Sequence, residues 1–269
     1  MSTRLVPLGM NGFIPSFGRQ TMSFLLLTGN EALLLDAGTG VGRLLEPTII
    51  DLLQPYDCLN IILSHYHLDH VVGLSYLPGT WMRGVVRIYA PGRPFVEAEP
   101  DQALGRLLQP PLFPRRFQDF PTPVEVFPIK SGFLRIGNMS VQLQGQNHPG
   151  GSMGVRIGDG IAYITDTPVA QTTQTFVQGV KLLLHEVWLT DEEAEQDEGE
   201  REKHSYVSGV AQIAKHAKVR SLMPIHHHPR RLDADIHKLA QEMEALAGVE
   251  VIVPEEGRIY PLDEYLPFL

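Results

Sequence analysis

Ser64-His65-Tyr66-His67-Leu68-Asp69-His70 puts four side chains able to ligate a metal within six residues, directly after the apolar run Leu59 to Leu63 that only Asn60 interrupts. Three imidazoles and a carboxylate this close repel one another or waste solvation unless something positive sits among them. Neutral imidazole and carboxylate suit zinc and its neighbours, so a divalent metal is the economical account. A His-rich surface turn is the bland alternative, and the metal-site spacing speaks against it.

The rest of the composition bounds what such a site can serve. The 269 residues are 43% apolar, enough for a sizeable core. The formal net charge is −9, from 31 acidic and 22 basic residues. That balance argues against a strong nucleic-acid surface, which needs clustered Lys and Arg to displace counterions. The single Cys58 excludes an internal disulfide and fits a reducing compartment; it reads as a buried strand residue. Met1 to Pro7 lacks a long apolar region, so no signal peptide is expected. No run approaches the roughly 20 apolar residues of a membrane span. The expectation is a soluble, cytoplasmic protein.

Outward from the His-rich loop, short apolar runs alternate with glycine turns. Phe24–Leu27 and Ala32–Leu35 flank Gly29-Asn30 as a β-hairpin. Val41 to Leu53 reads as a helix, and Val71 to Leu77 as a short one leaving the loop. Strand signals follow at Val124–Phe127, Leu134–Ile136, Val141–Leu143, Gly154–Ile157, Ile161–Ile164 and Lys181–Leu184, then Val219–Ile225 and a last one at Val249–Val253. Tyr206–Ala217 and Ala234–Ala247 read as helices, and the acidic stretch Asp191 to Glu202 as a solvated helix or mobile loop. The Pro-rich segment 91–128 carries Arg106, Arg115 and Arg116 with Phe113, Phe117 and Phe120, and a short helix near Asp101–Leu108. It is either a surface excursion or a substrate-side wall or association surface. No linker separates two cores, so residues 1–269 read as one α/β layered domain with this excursion.

Further candidate ligands follow strand signals elsewhere. They are His148 in Asn147-His148-Pro149-Gly150-Gly151, Asp166 after Tyr163-Ile164-Thr165, and His226 opening His226-His227-His228. Singly, each has a plain reading: a turn residue, a helix cap, a surface imidazole. Together with the first cluster they supply ligands for two metals.

At this point the chain resembles the metallo-β-lactamase fold superfamily over nearly its whole length. The resemblance rests on Asp36 in Leu35-Asp36-Ala37-Gly38, the His65-x-His67-x-Asp69-His70 motif, His148, Asp166 and His226, in the family's order. It implies a four-layer αβ/βα sandwich with two metals at one edge, zinc first and Mn²⁺ or Fe²⁺ as substitutes. It assigns His65, His67 and His148 to one ion, Asp69, His70 and His226 to the other, with Asp166 bridging and Asp36 steadying the His loop. Within the superfamily the chain is similar to the ribonuclease Z and cyclic-phosphodiesterase branch. The carriers there are Asn147 to Ser152, Thr165-Asp166-Thr167, His185-Glu186, His204-Ser205 and His226-x-x-Pro229-Arg230.

That branch implies a phosphodiesterase with a small anionic or phosphodiester substrate. Asp69 ligates and accepts a proton, and His204 serves the leaving group with Glu186 as its supporter; a homodimer is implied as well. The basic, glycine-rich arm that grips transfer RNA in ribonuclease Z has no counterpart here, so transfer-RNA 3′ processing ranks below smaller substrates. Hydrolysis of a non-phosphate ester, lactone or thioester is the alternative on the same site. Redox chemistry is disfavoured by histidine at position 67, where diiron members carry glutamate. His227 and His228 replace the family's usual Phe-Ser and stay outside the ligand set.

Overall fold

The hairpin around Gly29-Asn30 sits at the centre of the first sheet. Its strands run β1 (Arg4–Gly9), β2 (Ser23–Leu27), β3 (Ala32–Leu35), β4 (Cys58–Ile62), β5 (Val85–Pro91) and β6 (Val124–Ile129), side by side in chain order. Pairing is antiparallel from β1 to β3 and parallel from β3 to β6. The second sheet repeats the scheme with β7 (Phe133–Ile136), β8 (Met139–Gln146), β9 (Ser152–Ile157), β10 (Ile161–Ile164), β11 (Leu182–Glu186), β12 (Ser221–Ile225) and β13 (Glu250–Val251). It is antiparallel up to β10 and parallel beyond. β14 (Tyr260–Pro261) returns to pair with β1, giving two seven-stranded sheets. The structure is a computed structural model and describes residues 3–80 and 84–263. Met1 and Ser2, which head the stretch read as lacking a leader, lie outside them.

Period-two alternation sorts each strand between layers. Phe24, Leu26, Leu33 and Leu35 face Val155, Tyr163, Leu184 and Ile225 between the sheets. Leu25, Leu27, Leu34 and Ile61 point outward instead, against Val41, Leu44, Ile49 and Leu53. Eight α-helices are described: α1 (Pro47–Leu53), α2 (Leu68–Val71), α3 (Pro100–Leu107), α4 (Gln171–Phe176), α5 (Asp191–Gln196), α6 (Glu198–Arg201), α7 (Val207–His216) and α8 (Asp233–Ala247). Val207, Val210 and Ile213 of α7, with Leu239 and Met243 of α8, cover Ala162, Ile164 and Leu183 on the second sheet's outer face. The result is the four-layer αβ/βα sandwich expected from the resemblance. Each fully buried Leu, Val, Ile or Phe in these layers contributes roughly 1.5–3 kcal/mol of transfer free energy. Among the described residues, no helix is long and apolar enough to cross a membrane.

Several sequence expectations need correction. Val41 to Leu53 is not one helix: a 3-10 helix at Thr39–Leu45 stops, Glu46 is extended (φ −71°, ψ 134°), and α1 starts at Pro47. Proline's ring disfavours a helical residue before it. The helix after the His loop starts earlier than read, so Asp69 and His70 lie on α2, and a 3-10 helix continues at Val72–Gly79. β1, β5 and β14 carried no strand reading, so Val249–Val253 is not the last strand and shrinks to Glu250–Val251. Cys58 starts β4 but is only half-buried. Residues 92–123 of the Pro-rich segment form a largely exposed crossover between parallel β5 and β6. Leu104, Leu108, Phe117 and Phe120 pack into the outer core of the first sheet. The acidic stretch forms α5, with a capping box at Thr190 and Glu193, and then α6.

Candidate metal centre

Parallel strands bring their carboxyl ends to one edge, where open α/β sheets bind ligands. β3 runs into Asp36, β4 into Ser64 and His65, β10 into Asp166, β11 ends in Glu186, and β12 runs into His226. Asp36 and His226 directly after their strands, and Asp166 one residue further on, take left-handed backbone, with φ of 57°, 51° and 52°. Such conformations cost non-glycine residues about 1–3 kcal/mol and persist where the surroundings enforce them. Here the turn swings each side chain off its strand into the edge. Asp166 is not a helix cap, because the helix after it is capped from Ala170.

Ligand atoms of His65, His67, His148 and Asp166 converge within 4.8 Å of one another, as do those of Asp69, His70 and His226. Asp166, a member of the first group, also reaches into the second. Its Oδ1 lies 3.3 Å from His148 Nε2, and its Oδ2 lies 3.1 Å from His70 Nε2 and 3.4 Å from His226 Nε2. Asp69 Oδ2 lies 3.3 Å from His70 Nε2 and 3.4 Å from His226 Nε2. His148 Nε2 and His67 Nδ1 stand 3.3 Å apart.

The far sides of these rings are held by partners that leave the inner nitrogens as ligands. His70 Nδ1 donates to Asp36 Oδ2 at 2.7 Å, and His148 Nδ1 to the Lys203 carbonyl at 3.3 Å. His65 Nδ1 meets Ser64 Oγ at 3.0 Å. Asp36 also accepts from the Ser64 amide at 2.6 Å, Ser64 Oγ at 2.7 Å and Tyr163 Oη at 2.6 Å. It therefore ties both sheets to the His loop, as the resemblance implied.

The residues fit a metal. Nε2 of His65 is buried without a hydrogen-bond partner, an orphan that costs roughly 1–3 kcal/mol, while Nε2 of His70 and of His226 faces the carboxylates of Asp69 and Asp166. The electrostatics agree. Burial pulls the His226 imidazole down, yet Asp166, Asp69 and Glu186 raise it to about 10. His70 is likewise raised well above its ordinary value against its burial, by Asp69, Asp166 and Asp36. Burial opposes ionisation of Asp69, but His70 and His226 hold it well below the usual carboxylate range. The carboxylates thus demand positive charge at the imidazoles, and a cation meets that demand by displacing protons.

Glu186 and His204 stand beside the two groups. Glu186 Oε2 accepts from His204 Nδ1 at 2.9 Å and lies 3.2 Å from His226 Nδ1, while Oε1 accepts the amides of Thr167 at 2.8 Å and Ser205 at 3.1 Å. Burial would raise Glu186, but the neighbouring imidazoles, His204 foremost, bring it down to about 2. In return Glu186 raises His204 against the effect of burial. Asp166, His204 and His226 also converge within 4.8 Å, so His204 reaches the same edge as the ligands.

Sequence reading missed several residues here. Trp188 stacks on His204, centroids 4.8 Å apart at 23°, and meets the His228 ring edge-on at 4.6 Å. Its position two residues past Glu186 was the available signal. Tyr163 was read only as a strand residue, and Phe13 and Gly12 were not singled out. An open cleft of about 800 Å³ beside His148 is lined by Glu97, Glu198, Glu202, Arg201 and Lys203, among others. Arg106, Arg115 and Arg116 are exposed, and none of them lines it. His227, outside the ligand groups, is buried rather than exposed, and burial pushes it down to about 3.

Residues 31–227 match a beta-lactamase superfamily domain. The chain belongs to the metallo-β-lactamase superfamily. It is a metal-dependent hydrolase of the ribonuclease Z-like branch. Among relatives it is 26% identical to Ribonuclease Z of Nocardia farcinica, over 97% of this chain and 99% of that protein. Among solved structures it resembles the metallo-beta-lactamase fold protein YhfI from Bacillus subtilis. That match has a TM-score of 0.76 and 19% identity, covering 97% and 99% of the two chains. The short form of human tRNase Z superposes with a TM-score of 0.65 at 18% identity, over 96% and 99%.

Proposed function

We propose that this superfamily member is a two-zinc phosphodiesterase acting on a small or nucleotide-type phosphodiester. The observation that supports this most directly is Asp166, whose two oxygens address two separate imidazole groups, with the Glu186–His204 pair beside them. In this reading His65, His67 and His148 hold one ion, Asp69, His70 and His226 the other, and Asp166 lies between. Bound there, two divalent ions supply Lewis acidity at a phosphoryl oxygen and lower the pKa of water towards neutrality.

The chain's own residues do the rest. Asp69, whose Oδ2 lies 3.3 Å from His70 Nε2 and 3.4 Å from His226 Nε2, accepts the proton of the attacking water. His204 is kept protonated by Glu186 and donates from Nε2 to the departing oxygen. Trp188 holds that imidazole in place by stacking on it. Mn²⁺ or Fe²⁺ in place of zinc, a homodimer and a cytoplasmic location belong to the same proposal.

One observation supports a second reading. The cleft beside His148 sets Arg201 and Lys203 against Glu97, Glu198 and Glu202, so no cationic patch selects an anion. A carboxylic ester, lactone or thioester is compatible with those walls. The same walls, with the net charge of −9, count against a transfer-RNA grip. The deciding experiment is hydrolysis of phosphodiesters, lactones and thioesters by zinc- or manganese-loaded protein, wild type against His67→Ala. Inactivity on every phosphodiester would sink the first reading, and undiminished activity in His67→Ala would sink the ligand assignment.

A further inference from the structure

Phe13 combines two unfavourable features. Its backbone is left-handed, at φ 63°, which a residue with a Cβ adopts only at a cost. Its ring is 69% exposed. Neither feature serves the core, and loop mobility does not account for them, because the loop is fastened. The Phe13 amide donates to Asp69 Oδ2 at 2.7 Å. The Gly12 amide donates to the His227 carbonyl at 3.0 Å. Asn11 Nδ2 donates to Ser16 Oγ at 2.8 Å, Ser16 Oγ to the Pro229 carbonyl at 2.5 Å, and Arg19 Nε to Asn11 Oδ1 at 2.8 Å. Gly12 runs so close to the centre that a Cβ would lie 2.5 Å from His226 Cε1 and 2.7 Å from Trp188 Cζ3.

Two more large apolar side chains stand out beside the centre. Leu68, between the candidate ligands His67 and Asp69, is 65% exposed, and Ile14, next to Phe13, is 46% exposed. All three belong to segments that either carry a candidate ligand or hydrogen-bond to one. None of them lines the polar cleft beside His148.

We infer that Phe13, with Leu68 and Ile14, forms an apolar lip that binds an aromatic substituent of the substrate on the Asp69 side of the centre. The inference rests on the phosphodiester reading and extends it: the ester group that stays on phosphorus is a planar ring or nucleobase. Strain held beside a ligand, with a ring delivered to solvent, is the pattern expected of a contact completed only when substrate is bound.

The test measures binding, so it does not depend on turnover. Diphenyl phosphate and dimethyl phosphate are titrated calorimetrically into the zinc-loaded protein. Wild type should bind the diphenyl ester about tenfold more tightly, with the ratio cut roughly three- to tenfold in Phe13→Ala and in Leu68→Ala. Phe13→Gly relieves the positive φ, so it should lose the same discrimination with no fall in Tm, whereas Phe13→Tyr should retain it. Three results would overturn the lip: equal weakening of both ligands, no discrimination by wild type, or a switch from dimer to monomer in Phe13→Ala with the ratio intact. Discrimination without hydrolysis of any phosphodiester would leave the lip standing and remove the phosphodiester reading. Hydrolysis without discrimination would do the reverse.

Discussion

Glu186→Gln is the sharpest test of the proton-donor assignment, because it changes charge and leaves shape alone. All four partners of this carboxylate present nitrogen: the amides of Thr167 and Ser205 at Oε1, and Nδ1 of His204 and His226 at Oε2. A glutamine must turn its NH₂ towards one of these pairs. If the amide oxygen keeps the two backbone N–H groups, the NH₂ faces His204 Nδ1, which must become an acceptor. The imidazole is then neutral and a poor acid. A carboxyl brought from 4.5 to about 2 in the metal-free protein is worth about 3 kcal/mol.

The sign follows from the depressed folded value. That stability is present above pH 4.5 and is lost as the pH falls towards 2. At pH 7 the metal-free variant should therefore melt about 5–10 °C below wild type, and the two should converge on acidification. Turnover gives the second readout. p-Nitrophenolate leaves unaided, whereas an alkoxide needs a proton. Loss of the general acid should cost about 10²–10³-fold on a cyclic nucleotide and much less on bis-p-nitrophenyl phosphate. Zinc content in the same samples separates this effect from a loosened His226. Equal losses on aryl and alkyl substrates at full zinc content would refute the role given to the Glu186–His204 pair.

Other outcomes follow from the same geometry. His226→Ala should lower zinc from about two to about one equivalent by mass spectrometry, while His204→Ala keeps two; a loss in His204→Ala would make it a ligand. Gly12→Ala should cut activity at least tenfold, because its Cβ would fall 2.5 Å from His226 Cε1, and an unaffected kcat would show that the loop yields freely. His227 should shape the acid limb of stability. Burial, then Arg19 and His226, depresses it to about 3, so its contribution is full above pH 6.5 and lost as the pH falls. That is about 2 kcal/mol by pH 5, and His227→Leu should remove this part of the slope in urea unfolding at pH 7 and pH 5.

The sequence made the layered fold and the ligands legible for one physical reason. Parallel strands buried on both faces read as apolar runs, and the polar residue that ends each run is conspicuous. Asp36 after Leu33–Leu35, Asp166 after Ile161–Ile164 and His226 after Leu222–Ile225 all follow that rule. What stayed hidden depends on contacts distant in sequence. β1 and β14 pair across the whole chain through Arg4–Pro261 and Leu5–Tyr260, and a two-residue strand leaves no periodic signal. Tyr163 looked like a core aromatic because its hydroxyl meets Asp36 from the opposite sheet. Phe13 looked like any loop residue, since positive φ at a non-glycine position has no sequence signature.

The missing arginines bear on which reading of the substrate prevails. In the proposed loaded state, two divalent ions face the buried carboxylates of Asp36, Asp69, Asp166 and Glu186, which balance them, and protonated His204 adds one positive charge. The centre then carries about one excess positive charge in a poorly solvated edge, where charge is felt strongly. A phosphodiester brings a single negative charge and needs no arginine. A phosphomonoester brings up to two and finds only Arg201 and Lys203 opposite Glu97, Glu198 and Glu202 in the neighbouring cleft. A lactone or thioester arrives neutral and gains its negative charge only in the transition state. The balance of the centre therefore ranks diesters above monoesters and leaves neutral esters as the competitor, so diester, monoester and lactone measured side by side test the charge argument itself.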